Sequence, residues 1–328
     1  VFDSGTGGLT VQEVLLTLDS VDHITGKEVG DGMSDFAGEN FVYLADDANM
    51  PYGDYDAAGK SDYLRELVVK DALFLMGDKY YNLAIDDAPY GEKMEVKVIV
   101  IACNTATAYG LADIEKLLAK SGTGVKVIGV INAGVRAALA DWEKDTDYAI
   151  GVMATPGTIS SGAYQRTINE IAAQKGLNGK ITVVNQSALG FANAVDGVSD
   201  YVKSGIYSPR EEYRGPTMGS SDDQINPTII ERYFFDYSNG ALLYSKSNGE
   251  FDQIQLNSAD NYARFHLVSL VEKHRKSGCD VPLKSIILGC THYPFHLEVL
   301  NKTIEQLRNY KKDGVYIYKN CIAEDFTF

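Results

Sequence analysis

The chain has 328 residues, 45% hydrophobic and 23% charged, enough for two domains with cores of their own and too apolar for a disordered protein. Thirty basic against 45 acidic side chains give a net charge of −15, a surface that repels phosphate backbones and excludes nucleic acid as a first expectation for a partner. No apolar run approaches the about 18 residues that a membrane span needs, no cationic leader with a cleavage site is present, and four cysteines are too few for a disulfide framework, so the expectation is a cytoplasmic protein that engages no membrane.

The chain opens on Val1 without a methionine, so a few residues are expected upstream. A first strand ends at Val1-Phe2, and β-branched runs at 41–45, 96–102, 125–131, 148–153, 181–184, 285–289 and 315–318 predict further strands. Residues 25–40 and 80–93 read as long surface loops. Leu64, Leu67, Val68, Ala72, Leu75 and Met76 share one helical face. Leu111, Ile114, Leu117 and Leu118 do so after the strand leading to Cys103, as do Leu267, Leu270 and Val271 before the strand leading to Cys290. Strands apolar on both faces and separated by helices predict an α/β fold of parallel sheets covered on each side. Residues 204–261, rich in Ser, Gly, Asn, Asp and Tyr, break that rhythm. Their alternating runs at 241–245 and 251–256, with Asn239-Gly240 and Asn248-Gly249, predict hairpins in an insertion that covers an edge, a site or a partner.

The sequence also echoes itself. Val98-Ile-Val-Ile-Ala-Cys103-Asn-Thr105 parallels Ser285-Ile-Ile-Leu-Gly-Cys290-Thr-His292, each a strand ending in a small residue, a cysteine and small or polar groups. Two related halves would present one thiol each at the carboxyl end of a strand, facing across a cleft, where open α/β sheets bind ligands. A cysteine between strand and helix lies beside free backbone N–H groups and the positive helix end, which favour thiolate. Paired thiols can remove a Cα proton from one face of an amino acid and return one to the other without a redox cofactor. A dinucleotide site at Gly5-Thr6-Gly7-Gly8 is disfavoured, since Thr10 stands where the third glycine belongs, and the paired spacings of a zinc site are absent around Cys103, Cys290 and His292. Cys279, Cys321, His23, His266, His274 and His296 read as structural.

The motifs Val1-Phe-Asp-Ser-Gly-Thr-Gly-Gly-Leu-Thr10, Asp46 through Pro51-Tyr-Gly53, Ala102-Cys-Asn-Thr105, Ala154-Thr-Pro-Gly-Thr158 and Leu288-Gly-Cys-Thr-His-Tyr-Pro294 occur in that order. Together they resemble the glutamate racemases, cofactor-independent members of the aspartate/glutamate racemase superfamily. The resemblance implies two pseudo-symmetric parallel-sheet domains with the active site between them: 1–130 plus 313–328 on the Cys103 side, and 131–312, with the insertion at about 204–261, on the Cys290 side. It implies that Cys103 deprotonates D-glutamate and Cys290 L-glutamate, that Asp3 and His292 assist the thiols, and that Asp196 stands for an auxiliary glutamate. Substrate contacts would come from Ser4, Tyr52, Gly53, Asn104, Thr105, Thr155, Thr158 and Thr291, suited to the two carboxylates and the ammonium of glutamate. No metal or cofactor is implied, the partner is a small amino acid, the assembly a homodimer, and the role a supply of D-glutamate for peptidoglycan. The alternatives are an aspartate or other amino-acid racemase of the superfamily, or a weakly catalytic homologue binding through the insertion.

Overall fold

The strand-and-helix alternation resolves into two parallel sheets in a computed structural model that describes residues 1–82 and 86–328. The chain divides into Val1–Ile131 and Asn132–Phe328, each with its own core. Part of the 80–93 loop lies outside the described residues.

The first unit runs β1 (Phe2–Asp3), α1 (Leu9–Thr17), β2 (Leu44–Ala45), α2 (Ser61–Met76), β3 (Val98–Ile101), α3 (Asn104–Ser121) and β4 (Lys126–Gly129). Its sheet has the order β2-β1-β3-β4, all parallel. The apolar stripe of α2 (Leu64, Leu67, Val68, Ala72, Leu75) packs with Ile114 and Leu118 of α3 against Phe2, Ile99 and Ile101. The helices close at Gly110, where an added Cβ would lie 2.2 Å from a Val68 methyl. The expected cover on both faces is met on one face only among the described residues. Leu9, Val14 and Leu16 of α1 point outward, and Val98 and Ile128 stay 45% and 51% exposed beside a groove of about 880 Å³ lined by Phe41, Tyr43 and Met94.

The second unit follows α4 (Val130–Ala138), within which the division falls. It contains β5 (Tyr148–Ala154), α5 (Pro156–Ser160), α6 (Ala163–Lys175), β6 (Ile181–Ser187), α7 (Phe191–Val195), β7 (Leu242–Ser247), β8 (Glu250–Leu256), α8 (Ala259–Lys276), β9 (Leu283–Gly289), α9 (Leu297–Asn309), β10 (Lys311–Lys312), β11 (Val315–Tyr316) and β12 (Ile322–Thr327). Four strands form a parallel sheet in the order β12-β9-β5-β6. Helix α8 is the centre of the core, with Tyr262, Phe265, Leu267, Val268, Leu270 and Val271 fully buried.

Four expectations are corrected here. Residues 313–328 do not return to the first unit: β12 joins β9, Ile322 opposite Leu283, because Ile322 and Phe326 pack into the second core and Lys284 pairs with Asp325. The strand expected at 315–318 shrinks to a two-residue arm of the β10–β11 hairpin. The 204–261 segment forms the β7–β8 hairpin on the Asn248-Gly249 turn, whereas Asn239-Gly240 falls in a short 3-10 turn. It is no detachable cover, since its Ile225, Tyr233, Phe235, Leu242, Ile254 and Leu256 belong to the same core as α8.

Candidate active site

Parallel pairing sets the carboxyl ends of neighbouring strands at one level, so the residues just beyond them emerge together. In the first unit Asp3 pairs with Ala45 and Phe2 with Ile101, which sends Ser4, Asp46 and Cys103 out of the same sheet edge. In the second, Ala154 is opposite both Gly289 and Ser187, which does the same for Thr155, Cys290 and the segment leading to Asp196.

Around Cys103 the expected residues assemble. Cys103 is the N-cap of α3, its Sγ 3.4 Å from the Ala106 N–H that donates to it and 3.6 Å from Ser4 Oγ. A thiol in that position meets the free amides and positive dipole of an 18-residue helix. Asn104 and Thr105 are buried in the first turn of that helix. Asp3, 1% exposed, accepts the Gly8 N–H at 2.7 Å. Gly8 has to be glycine, because a Cβ there would lie 2.6 Å from Asp3 Cβ and 2.9 Å from Ala102 Cβ. Tyr43 was not foreseen. Its hydroxyl donates to Gly5 O at 2.6 Å, and its ionisation is pushed up by burial and by the nearby charges of Asp3, Asp47 and Cys103.

Tyr52 is present but differently employed. It is 1% exposed and its hydroxyl lies against Asp46 and Asp71, so the side chain is committed inward and the backbone of Tyr52-Gly53 is what remains for a ligand. Sequence reading gave Asp71 no role. The signal was an acid on the apolar stripe of α2, one turn from both Leu67 and Leu75.

Around Cys290 the structure forms a relay of three side chains. His292 Nδ1 is 3.4 Å from Cys290 Sγ and its Nε2 is 3.0 Å from Asp196 Oδ1. Burial pulls the His292 pKa down, but the contacts with Asp196 and Cys290 outweigh it and raise the ring to about 10. The expected helix dipole is missing here. A 3-10 turn, Tyr293–His296, separates Cys290 from α9, so an imidazolium rather than a helix end is the positive partner of this thiol. Thr291 Oγ1 lies 3.5 Å from His292 Nδ1, and Thr155 caps α5 with its hydroxyl 3.0 Å from that of Thr158. Tyr164 and the fully buried Tyr293 stand close enough to Cys290 for its charge to raise their ionisation further, after burial has done most. A Cβ on Gly289 would meet Tyr164 at 2.9 Å and Ala154 Cβ at 2.8 Å, so glycine lets the strand before the thiol pass this ring. Among the described residues no three His, Cys, Asp or Glu side chains cluster as metal ligands, and no helix is long and apolar enough to cross a membrane.

The chain has relatives among known proteins. Residues 78–199 match the family described as Asp/Glu/Hydantoin racemase. More narrowly, the chain is similar to proteins named glutamate racemase. That of Limosilactobacillus fermentum is 32% identical over 205 residues, 61% of this chain and 60% of the relative. That of Corynebacterium diphtheriae is 36% identical over 168 residues, 50% of this chain and 45% of the relative. The chain thus spans about half to three-fifths of the length of these relatives. The crystal structure of a glutamate racemase isoform from Bacillus anthracis shares the fold, with a TM-score of 0.52 at 20% identity over 92% of this chain and 71% of the other.

Proposed function

We propose that the protein is a glutamate racemase that interconverts L- and D-glutamate with the thiols of Cys103 and Cys290 as its acid and base. The Asp196–His292–Cys290 relay is the observation that carries this reading, and the similarity to proteins of that name supports it. The Cα–H bond of glutamate breaks as an S–H bond forms on one cysteine, leaving a carbanion. The S–H bond of the other cysteine then breaks as a new Cα–H bond forms, so protons balance and no electrons leave the substrate. Asp196 holds the His292 ring, the ring holds the proton that balances the Cys290 thiolate, and the α3 amides serve Cys103. Ser4, Asn104, Thr105, Thr155, Thr158, Thr291 and the backbone of Tyr52-Gly53 would take the substrate carboxylates and ammonium. D-glutamate for peptidoglycan, made in the cytoplasm by a homodimer, follows from the same reading.

The test is incubation with L-glutamate in D₂O without added cofactor, following the Cα proton by NMR and chirality by circular dichroism. Exchange with loss of optical activity is expected, and Cys103→Ser or Cys290→Ser should each abolish racemisation. Racemisation of aspartate in preference to glutamate would shift the substrate within the superfamily, and folded protein inert towards both would overturn the reading.

A further inference from the structure

We propose that Asp71 is a positioning residue that pins residues 46–53 to helix α2 by retaining a carboxyl proton in the folded protein. The geometry is a problem in proton counting. The Tyr52 hydroxyl lies 2.6 Å from Asp46 Oδ2 and 2.9 Å from Asp71 Oδ2. A phenol has one proton to donate, so it satisfies one carboxylate and would face the other oxygen to oxygen. Both contacts become hydrogen bonds only if one carboxyl carries a proton of its own.

The surroundings say which one. Asp46 is well supplied with donors, since Asn49 Nδ2 lies 2.8 and 3.0 Å from its two oxygens and the shorter phenol contact is also its own. Asp71 stands on the buried side of α2, between Leu67, Val68, Ala72 and Leu75 of the core. Burial and the charge of Asp46 raise it to about 6, against the Tyr52 contact and Lys70, which act in the other direction. The phenol itself stays protonated, its ionisation pushed far up by burial and both carboxylates. The order is therefore Asp71 O–H to Tyr52 Oη, and Tyr52 O–H to Asp46.

The other titratable groups nearby leave this assignment intact. Tyr55 spends its hydroxyl on Asn49 O at 2.9 Å, and Tyr63 stacks on Tyr55. From α3, which packs on α2, Tyr109 joins the same core and Asp113 is paired with Arg65 at 2.7 Å. The relay ties a loop with no strand pairing beyond Ala45 to a helix fixed by its apolar stripe. As pH rises through about 6 the proton leaves, two carboxylates compete for one phenol, and the loop loosens. If the racemase reading holds, that loop presents the Tyr52-Gly53 backbone to the substrate, and the KM for glutamate rises over the same range.

The experiment compares the full chain with Asp71→Asn, whose amide donates to the phenol at every pH. The Asp71 folded pKa lies above its ordinary 3.8, so its contribution to stability is full below that value and lost as pH rises through about 6. Thermal midpoints of the two proteins should coincide near pH 4, and Asp71→Asn should exceed the parent by roughly 3 °C or more at pH 8. The Asp71 carboxyl carbon, identified in ¹³C NMR by its loss in the variant, should titrate near 6. A KM that rises with pH in the parent and stays flat in Asp71→Asn completes the pattern. An Asp71 carboxyl titrating in the ordinary range, or a midpoint difference equal at pH 4 and pH 8, overturns the proposal even in an active racemase. Titration near 6 with the expected midpoints supports it even if no racemisation is found, so the two readings fail separately.

Discussion

His292 lies between a carboxylate and a thiol, and these contacts decide what its two ring nitrogens do. Nε2 faces Asp196 and Nδ1 faces Cys290, so the ring carries protons on both when charged. Its folded pKa is raised from 6.5 to about 10, so its contribution to stability is full below 6.5 and lost as pH rises through 10. Asp196→Asn should bring the ring back toward neutrality, read from the imidazole proton shifts in NMR, and lower the rate of the proposed racemisation by about 100-fold. Unchanged turnover with a shifted ring would show that His292 does not serve the reaction. Gly8 makes a purely steric case. Gly8→Ala puts a methyl where Asp3 and Ala102 already are, and should cost about 1–3 kcal/mol in urea unfolding while disturbing Asp3. Sequence singled out the cysteines, Asp3 and His292 as candidates through their motifs. It did not single out Tyr43, whose contact with Gly5 is made only through folding, or Asp71, whose place on the apolar stripe of α2 was a signal but whose partner Tyr52 lies 19 residues away.

At the scale of elements, the legible parts were those whose periodicity agrees with their burial. Helix α2 is where its apolar stripe placed it, and β5 and β9 lie on the expected runs because a central parallel strand is apolar on both faces, while β6, at one edge of the sheet, was legible from its β-branched run at 181–184. The β12 strand was missed because it is a sheet edge. Glu324 and Asp325 stand exposed in it, so it reads as a polar tail. The outer face of the first sheet was misjudged for the opposite reason, since apolar residues say what could be buried and not what covers them. The β7–β8 hairpin was legible from its turn. Asn248 and Gly249 have φ of 55° and 88°, a backbone region that glycine enters freely and β-branched residues avoid. Gly249→Val should therefore cost about 1–2 kcal/mol, measured by chemical unfolding, and Gly249→Asn less. Equal losses would mean that the side chain, not the backbone, decides this turn.

Across the second unit, three distant stretches of chain meet at one buried carboxylate. Arg232 from the 204–261 segment reaches Glu272 of α8 at 2.9 Å, Arg275 holds its other oxygen at 2.7 Å, and the Tyr318 hydroxyl from the tail donates to it as well. The Glu272 side chain is 3% exposed and that of Arg232 8%, so the charges have little water to fall back on. Burial alone would raise the Glu272 pKa, but Arg275, Tyr318 and Arg232 hold it below 4.5. Its contribution to stability is thus present above 4.5 and lost as pH falls through the lowered folded value. Glu272→Gln leaves Arg232 buried without its counter-charge and should cost about 3–5 kcal/mol at neutral pH. That loss should shrink as the parent is acidified, because protonating Glu272 does to the parent what the substitution does to the variant. Since the 204–261 segment, α8 and β12 share one core, hydrogen exchange should show all three losing protection together in Glu272→Gln. Loss confined to the 204–261 segment would mean that it is a separate folding unit resting on a finished sheet, and that Arg232 and Glu272 serve only to fasten it.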